Sequence, residues 1–452
     1  MSARLVEAGV AGLADFYEEQ DASPLDTLEI YLERIERLNP RLNAYLHVRT
    51  DEAREEALAS AERWAAGDPL SALDGVPIAV KANIAVAGSP WHAGIGAYRD
   101  RIASDDAAVI EALKDAGAIV LGVLNMHEGA LGATTNNPWF GKCLNPWGDD
   151  LTPGGSSGGS GSAVAGGLCA AALGTDTMGS VRIPSAYCGC VGHKPTMGFV
   201  PNDGVEDLSW TYDHVGPHAR FVSDAALVLD VLSGDDVSGA LTSPNDPLDG
   251  AVIGVLEIDG MDGVSADVAE ALRAAVELCD VAGAEVAPVS FKDYDFGQMR
   301  RLGLLVSEAE GSAVHAEALE THPDGFSSEF RGLLDWGANK RAVDLAEAYY
   351  ELRDAGARVR DTLADFDAVL MPTAPQTAFS FSTQVPSNQA DFTAIANFSG
   401  APACALPVGL NAAGLPLSVQ FLGEVGADAQ VLALADAFEQ ERGSFPFPPS
   451  VA

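Results

Sequence analysis

The sequence predicts an α/β fold, with one large sheet covered by helices on both faces. Three observations carry this expectation. Short apolar runs of strand length alternate with amphipathic stretches of helix length along most of the chain. No unit repeats at a fixed period. No low-complexity linker cuts the 452 residues, so one continuous domain is expected in place of a string of modules.

Taken in order, residues 24–66 read as two helices. Leu25, Leu28, Ile30, Tyr31 and Leu32 make an apolar stripe after a Ser23-Pro24-Leu25-Asp26 start that resembles a capping box. Pro40 is expected to end that helix, and Asp51 to Trp64 forms the second. Gly75 to Asn83 is an apolar run typical of a buried strand, Asp105 to Ala116 is helical, and Ala118 to Leu124 is another buried strand. Further strands are expected at Val252–Leu256, Ala284–Val289, Asp367–Met371, Ala403–Pro407 and Leu417–Leu422. Helices at Ala266–Val281, Arg341–Ala364 and Ala427–Gln440 lie among them. Residues 1–66 are thus expected to be a helical segment packed on the core, and 67–452 the α/β domain. The acidic loop around Gly234–Asp249 is the one plausible seam.

Composition narrows the function. Lys plus Arg is 26 against 65 Asp plus Glu, a net charge of −39. A general nucleic-acid binder needs basic residues to neutralise phosphates, so that class is excluded, as is an anchor to anionic lipid. Only six lysines occur: Lys81, Lys114, Lys142, Lys194, Lys292 and Lys340. An acid-rich, lysine-poor surface suits molar salt, where the Debye length falls to about 3 Å and self-repulsion is screened. Halophilic adaptation is the expectation. Cys143, Cys169, Cys188, Cys190, Cys279 and Cys404 show no zinc spacing and read as reduced, buried thiols. With neither a signal-peptide core at the N-terminus nor a membrane-length apolar run, a cytoplasmic protein is expected.

The chemistry centres on Thr152-Pro-Gly-Gly-Ser-Ser-Gly-Gly-Ser-Gly-Ser-Ala-Val-Ala-Gly-Gly-Leu168. A flexible linker is excluded by the Ala-rich helix-forming sequence that follows. A phosphate loop is excluded by the missing Gly-Lys-Ser/Thr ending. Gly154-Gly-Ser156-Ser-Gly158 satisfies the G-x-S-x-G nucleophile elbow, but that motif needs a strand leading into the serine. The approach here, Asn145 to Pro153, is polar and broken by proline.

A second run, Ala172-Leu-Gly-Thr-Asp-Thr-Met-Gly-Ser-Val-Arg-Ile-Pro184, changes the reading. With Leu73-Asp-Gly-Val-Pro-Ile-Ala-Val-Lys81, these segments closely resemble the amidase signature family of Ser–cis-Ser–Lys amidohydrolases. Leu124-Asn-Met126, Asn145-Pro-Trp147, Cys188-Gly-Cys-Val-Gly-His-Lys-Pro-Thr196, Asp213-His-Val-Gly-Pro217 and Met371-Pro-Thr-Ala-Pro375 extend the likeness over nearly the whole chain. The resemblance implies a mixed sheet and hydrolysis of a small-molecule carboxamide without metal or cofactor.

It also implies site residues. Ser180 would be the nucleophile, Ser156 the bridging serine after a cis peptide bond, and Lys81 the base. The backbone N–H groups of Thr177, Met178, Gly179 and Ser180 would form the oxyanion hole. These roles suit the residue types. A serine hydroxyl attacks only when something takes its proton, and a lysine can do so only when burial makes it neutral. Lys81 has the most apolar approach of the six lysines, Val76 to Val80. Asp176 and Arg182 read as an ion pair bracing the nucleophile loop, and Ser157 and Ser160 as supporting or helix-capping serines.

The chain departs from the family's commonest pattern at Met178, where Gly is usual, and at Ala82, Val123 and His127. Met178 bears on the shape of the acyl pocket. His92, His127, His193, His214 and His218 lie near the motifs and suggest a Ser-His-Asp triad, best served by Asp213-His214 or His218; the resemblance makes these histidines structural. The rival activity within the family is the glutaminase component of a tRNA-dependent amidotransferase, which works with partner subunits. That branch usually carries Gln where Ile183 and His214 stand here, which favours a stand-alone amidase. A catalytically dead binding protein on the same scaffold is disfavoured by the intact Lys81, Ser156 and Ser180. A homo-oligomer is compatible with the sequence.

Overall fold

Eleven strands form one mixed sheet in the computed structural model, which describes residues 2–243 and 245–451. In chain order the strands are β1 (Tyr45–Val48), β2 (Pro77–Lys81), β3 (Ile119–Leu124), β4 (Asn136–Asn137), β5 (Gly141–Lys142), β6 (Ala171–Thr175) and β7 (Val191–Lys194). There follow β8 (Val215–Ala219), β9 (Val252–Leu256), β10 (Glu285–Val289), β11 (Ala368–Pro372), β12 (Ala403–Leu410) and β13 (Pro416–Leu422). β4 and β5 make a separate small hairpin. The large sheet runs β1-β3-β2-β6-β8-β7-β12-β13-β11-β9-β10.

Direction changes across that order place the chemistry. β3, β2 and β6 are parallel neighbours, as are β11, β9 and β10, and an antiparallel centre joins the two blocks. β2, β3 and β6 are buried at every position. Their carboxyl ends, Lys81, Leu124 and Thr175, therefore share one edge of a fully covered parallel block. Crevices at such edges are where α/β sheets hold their ligands.

Most expected elements form within a residue or three of their expected ends, and Val252–Leu256 and Ala266–Val281 form as expected. The first helix is different. Ser23 caps it by accepting from Asp26 N at 3.1 Å, but the helix runs through Pro40 to Leu42. Pro40 stands in the last turn, where its missing N–H removes one bond only, and Asn43 N closes the end on Asn39 O at 2.8 Å. Leu38 and Leu42 are buried on either side. Side chains of the first 66 residues, among them Leu5, Leu13, Leu28 and Tyr31, pack in the same cluster as Ile78, Leu173 and Phe438. The acidic loop likewise sends Val237 and Leu248 into that cluster. Among the described residues no helix is long and apolar enough to cross a membrane.

Candidate active site

β2 delivers Lys81 to the carboxyl edge of the sheet with no exposed surface. Its Nζ donates to Ser156 Oγ and to Thr175 Oγ1, each at 2.7 Å. Burial pushes the amine down to about 7, against the opposing pull of the Asp213 and Asp176 carboxylates. A neutral fraction is thus present at neutral pH, which an exposed lysine lacks. Asn83, two residues on, donates to the same Thr175 hydroxyl at 3.2 Å and so fixes its direction.

Ser156 sits in a loop pressed against its surroundings. The Gly155–Ser156 peptide bond is cis. His127 N donates to Ser156 O at 3.0 Å, and a Cβ on Gly155 would lie 2.8 Å from Gly132 O and Thr134 N. The Gly-rich run then becomes a helix, Gly158–Ala165, despite the helix cost of glycine. Close approach explains it: a Cβ on Gly159 would lie 2.3 Å from Asn125 O. Ser157 and Ser160 do not cap this helix. Ser157 Oγ donates to Thr175 O and accepts from Thr175 N, both at 3.2 Å, and Ser160 Oγ donates to Leu173 O at 2.9 Å. Both serines tie the helix to β6.

The second loop, Asp176 to Val181, leads from β6 into the helix Arg182–Cys188. A strand therefore does run into a serine through a turn, but the serine is Ser180 and not Ser156. Asp176 organises the turn. Its carboxylate accepts from Gly179 N at 2.7 Å, Val181 N at 3.2 Å, Asn397 Nδ2 at 2.9 Å and two guanidinium nitrogens of Arg182 at 3.0 Å. Burial raises its proton affinity, yet the Arg182 charge and hydrogen bonds, with Asn397, outweigh this and hold the carboxyl well below the usual range. Arg182 also donates to Gln420 Oε1 at 3.0 Å and Asn397 Oδ1 at 2.8 Å.

Gly179 has φ +122°, and a Cβ there would sit 2.1 Å from Thr393 Oγ1. The same hydroxyl holds Met178 O at 2.6 Å. Because Gly179 N is engaged by Asp176, it is not a free donor, contrary to the expectation from sequence. The amides of Thr177, Met178 and Ser180 donate to nothing among the described residues. Ser180 is partly exposed, its hydroxyl makes no hydrogen bond among those residues, and its carbonyl accepts from Ser157 N at 3.2 Å, joining the two loops. The Met178 side chain packs with Phe398 and comes so near Gly303 that a Cβ there would lie 2.7 Å from its sulfur.

The histidines are held elsewhere. His214 Nδ1 donates to Tyr212 O at 2.7 Å, His218 Nδ1 bonds Ser185 Oγ at 2.9 Å, and His193 Nε2 bonds Asp428 at 3.1 Å. His92 stacks on Phe140, and His127 Nδ1 accepts from Thr135 N at 3.2 Å. Burial pushes His214 and His218 to about 3 and His92 and His127 to about 4. None bonds the hydroxyl of Ser156 or Ser180 among the described residues. All six cysteines are buried and unpaired.

Sequence reasoning missed Thr175, Asn83, Thr393, Asn397 and Gln420. Thr175 stood inside a motif already singled out, and its hydroxyl next to Asp176 was the available signal. Asn397 and Gln420 lie more than 200 residues from their partners, and one sequence carries no sign of that contact.

A buried amine beside two hydroxyls, with amides pointing free nearby, is the equipment of a serine-type acyl-transfer enzyme. Comparison with known proteins makes the class specific. The model of the Amidase family matches residues 26–432. The A component of the glutamyl-tRNA(Gln) amidotransferase of Anaeromyxobacter sp. (strain K) is 36% identical, over 98% of this chain and 96% of its own. The native peptide amidase of Stenotrophomonas maltophilia is 27% identical over 97% of this chain and 98% of its own, with a TM-score of 0.86. The corresponding component of the Thermotoga maritima glutamyl-tRNA(Gln) amidotransferase is 30% identical over 93% of each chain, with a TM-score of 0.78. The chain belongs to the amidase signature family and is a hydrolase of amide C–N bonds.

Proposed function

We propose that Lys81, Ser156 and Ser180 are the catalytic residues of a stand-alone amidase. The observation that carries this is the 2.7 Å bond from a fully buried lysine, pushed down to about 7, to the Ser156 hydroxyl. In this reading neutral Lys81 takes the Ser156 proton while Ser156 takes that of Ser180. Ser180 Oγ attacks the carbonyl carbon, and the oxyanion meets the free amides of Thr177, Met178 and Ser180. The proton returns through Ser156 to the leaving nitrogen, the C–N bond breaks, and ammonia or an amine departs from a seryl ester. Water then repeats the relay and releases the carboxylate.

The substrate is a small-molecule amide. The 36% identity to an amidotransferase component supports a second reading, in which the chain is the glutaminase of a multi-subunit complex. Ile183 and His214 favour the first. The deciding experiment is an amide panel assayed for ammonia with the purified single chain, and with Ser180→Ala as control. Turnover by the single chain that the variant lacks supports the proposal. Ammonia released only with partner subunits and tRNA present supports the second reading.

A further inference from the structure

We propose that Asp213 is a positioning residue for this reaction: its carboxylate clamps Thr177 of the nucleophile loop and sets a fixed negative charge on the face of the sheet where Lys81 works. The inference rests on the reading of Lys81 as base and Ser180 as nucleophile.

Strand register puts Asp213 there. β6 and β8 are antiparallel, with Thr175 opposite Val215, and the ladder continues past their ends. Asp176 N donates to His214 O at 2.8 Å and His214 N to Asp176 O at 3.1 Å. The next pair outward is Thr177 with Asp213. Side chains alternate along a strand, so Thr175, Thr177 and Asp213 share one face, with Asp213 a diagonal neighbour of Thr175. Thr175 Oγ1 is the atom that receives Lys81 Nζ. Thr177 Oγ1 in turn donates to Asp213 Oδ1 at 2.5 Å.

The carboxylate cannot swing away. Its Oδ2 accepts from Leu208 N at 2.7 Å and Ser209 N at 3.0 Å. That segment is pinned from outside by Glu310 on the helix Phe296–Val314, which accepts from the hydroxyls of Ser209 and of Thr211, the latter at 2.5 Å. Tyr349 donates to the same carboxylate at 2.6 Å. Four elements thus hold one charge in one place.

The charge matters because burial alone drives Lys81 down. A base pushed too far down takes up its proton weakly; the best catalytic base lies near the working pH. Two carboxylates oppose burial, Asp213 first and Asp176 second. Asp176 is already neutralised by Arg182, whereas Asp213 has no cationic side chain among its hydrogen-bond partners. The other titratable groups whose field couples to Lys81, His127 and His218, are held neutral by burial.

The test needs no knowledge of the substrate. The rate at which a fluorophosphonate labels the full-length protein is followed against pH for wild type, Asp213→Asn, Thr177→Val and Ser180→Ala. Wild type should gain reactivity as pH rises through about 7. In Asp213→Asn the midpoint should fall by about one pH unit, because the opposing charge is gone. Thr177→Val should label more slowly. A merely structural role would slow Asp213→Asn at every pH with its midpoint unmoved, and that result overturns the inference. If circular dichroism shows Asp213→Asn unfolded, Glu310→Gln decides: loosening the pin should move the midpoint the same way by less, and no movement overturns the inference. Labelling that persists in Ser180→Ala, or is absent from wild type, instead overturns the catalytic reading beneath it.

Discussion

Two buried lysines end two strands of the same sheet, and the proposed reaction uses only one of them. Lys81 ends β2 and Lys194 ends β7; both lack exposed surface, and burial first of all pushes both down to about 7. Their partners differ. Lys81 donates to the hydroxyls of Ser156 and Thr175. Lys194 donates to the carbonyl of Pro195 at 2.6 Å, a group with no proton to give back. A lowered proton affinity makes a lysine available as a base. In the proposed reaction a hydroxyl partner, Ser156, that relays the proton of Ser180 is what gives Lys81 its task.

The largest expected effect breaks the two apart. Lys81→Met should cut kcat/KM on the best amide of the panel by about 10³-fold or more, in the range of a lost general base. Lys194→Met has similar volume and removes an amine that serves no hydroxyl, so activity should stay within about tenfold. Equal losses in two folded variants would mean that the β7 lysine shares the proton chemistry.

Stability should separate them from the ion pair nearby. Arg182→Met strands the buried Asp176 carboxylate and should cost about 3–5 kcal/mol. Lys194→Met should stabilise, in a way that depends on pH. The folded pKa of about 7 lies below that of an unfolded lysine, so the unfolded chain binds more protons between the two values. Wild-type stability therefore rises through that window, by at most about 1.4 kcal/mol per pH unit for each such lysine. The advantage of Lys194→Met should be full at and below pH 7 and shrink toward pH 10. Urea midpoints of both proteins across that range check it; a constant difference would mean that Lys194 is charged in the fold.

The same comparison shows what was legible beforehand. The apolar approach to Lys81 read correctly as burial, yet Lys194 is as deeply buried behind Gly192 and His193, whose smallness and polarity hide it. The helix Phe296–Val314 and the edge strand β1 went unread, whereas the other long helices, such as Ala266–Val281 and Arg341–Ala364, were visible because one face of each is polar, which leaves a period to read. β6, β7 and β8 were not. Ala-Ala-Leu-Gly-Thr is buried on both faces, has no alternation, and is built from helix-forming alanine. β2 and β3 escaped that problem through their valines and isoleucines. Within the site, residues close in sequence were legible as motifs. Asn397, Gln420 and Glu310 act through contacts that only the folded sheet creates.

The smallest expected effect concerns the net charge of −39, and the structure reduces what the sequence suggested. From charge alone, added salt should screen a negative surface field and shift the acidic limb of the pH–rate profile downward. The carboxylates that oppose the burial of Lys81, however, are Asp213, partly exposed but bonded in place, and Asp176, fully buried and paired with Arg182. Salt screens such fixed, bonded charges less than it screens the many exposed acidic residues, whose repulsion a Debye length of about 3 Å at 1 M quenches. The limb should therefore move down by only about 0.3 pH unit between low and molar KCl, well short of the shift expected for Asp213→Asn. Thermal stability should rise over the same range, because repulsion among exposed carboxylates is what salt relieves. The measurement is kcat/KM against pH at several KCl concentrations, kept to conditions where circular dichroism shows folded protein. A salt shift as large as that of Asp213→Asn would mean that the acidic surface as a whole, and not Asp213 and Asp176, sets the proton affinity of Lys81. An upward shift would mean that neither does.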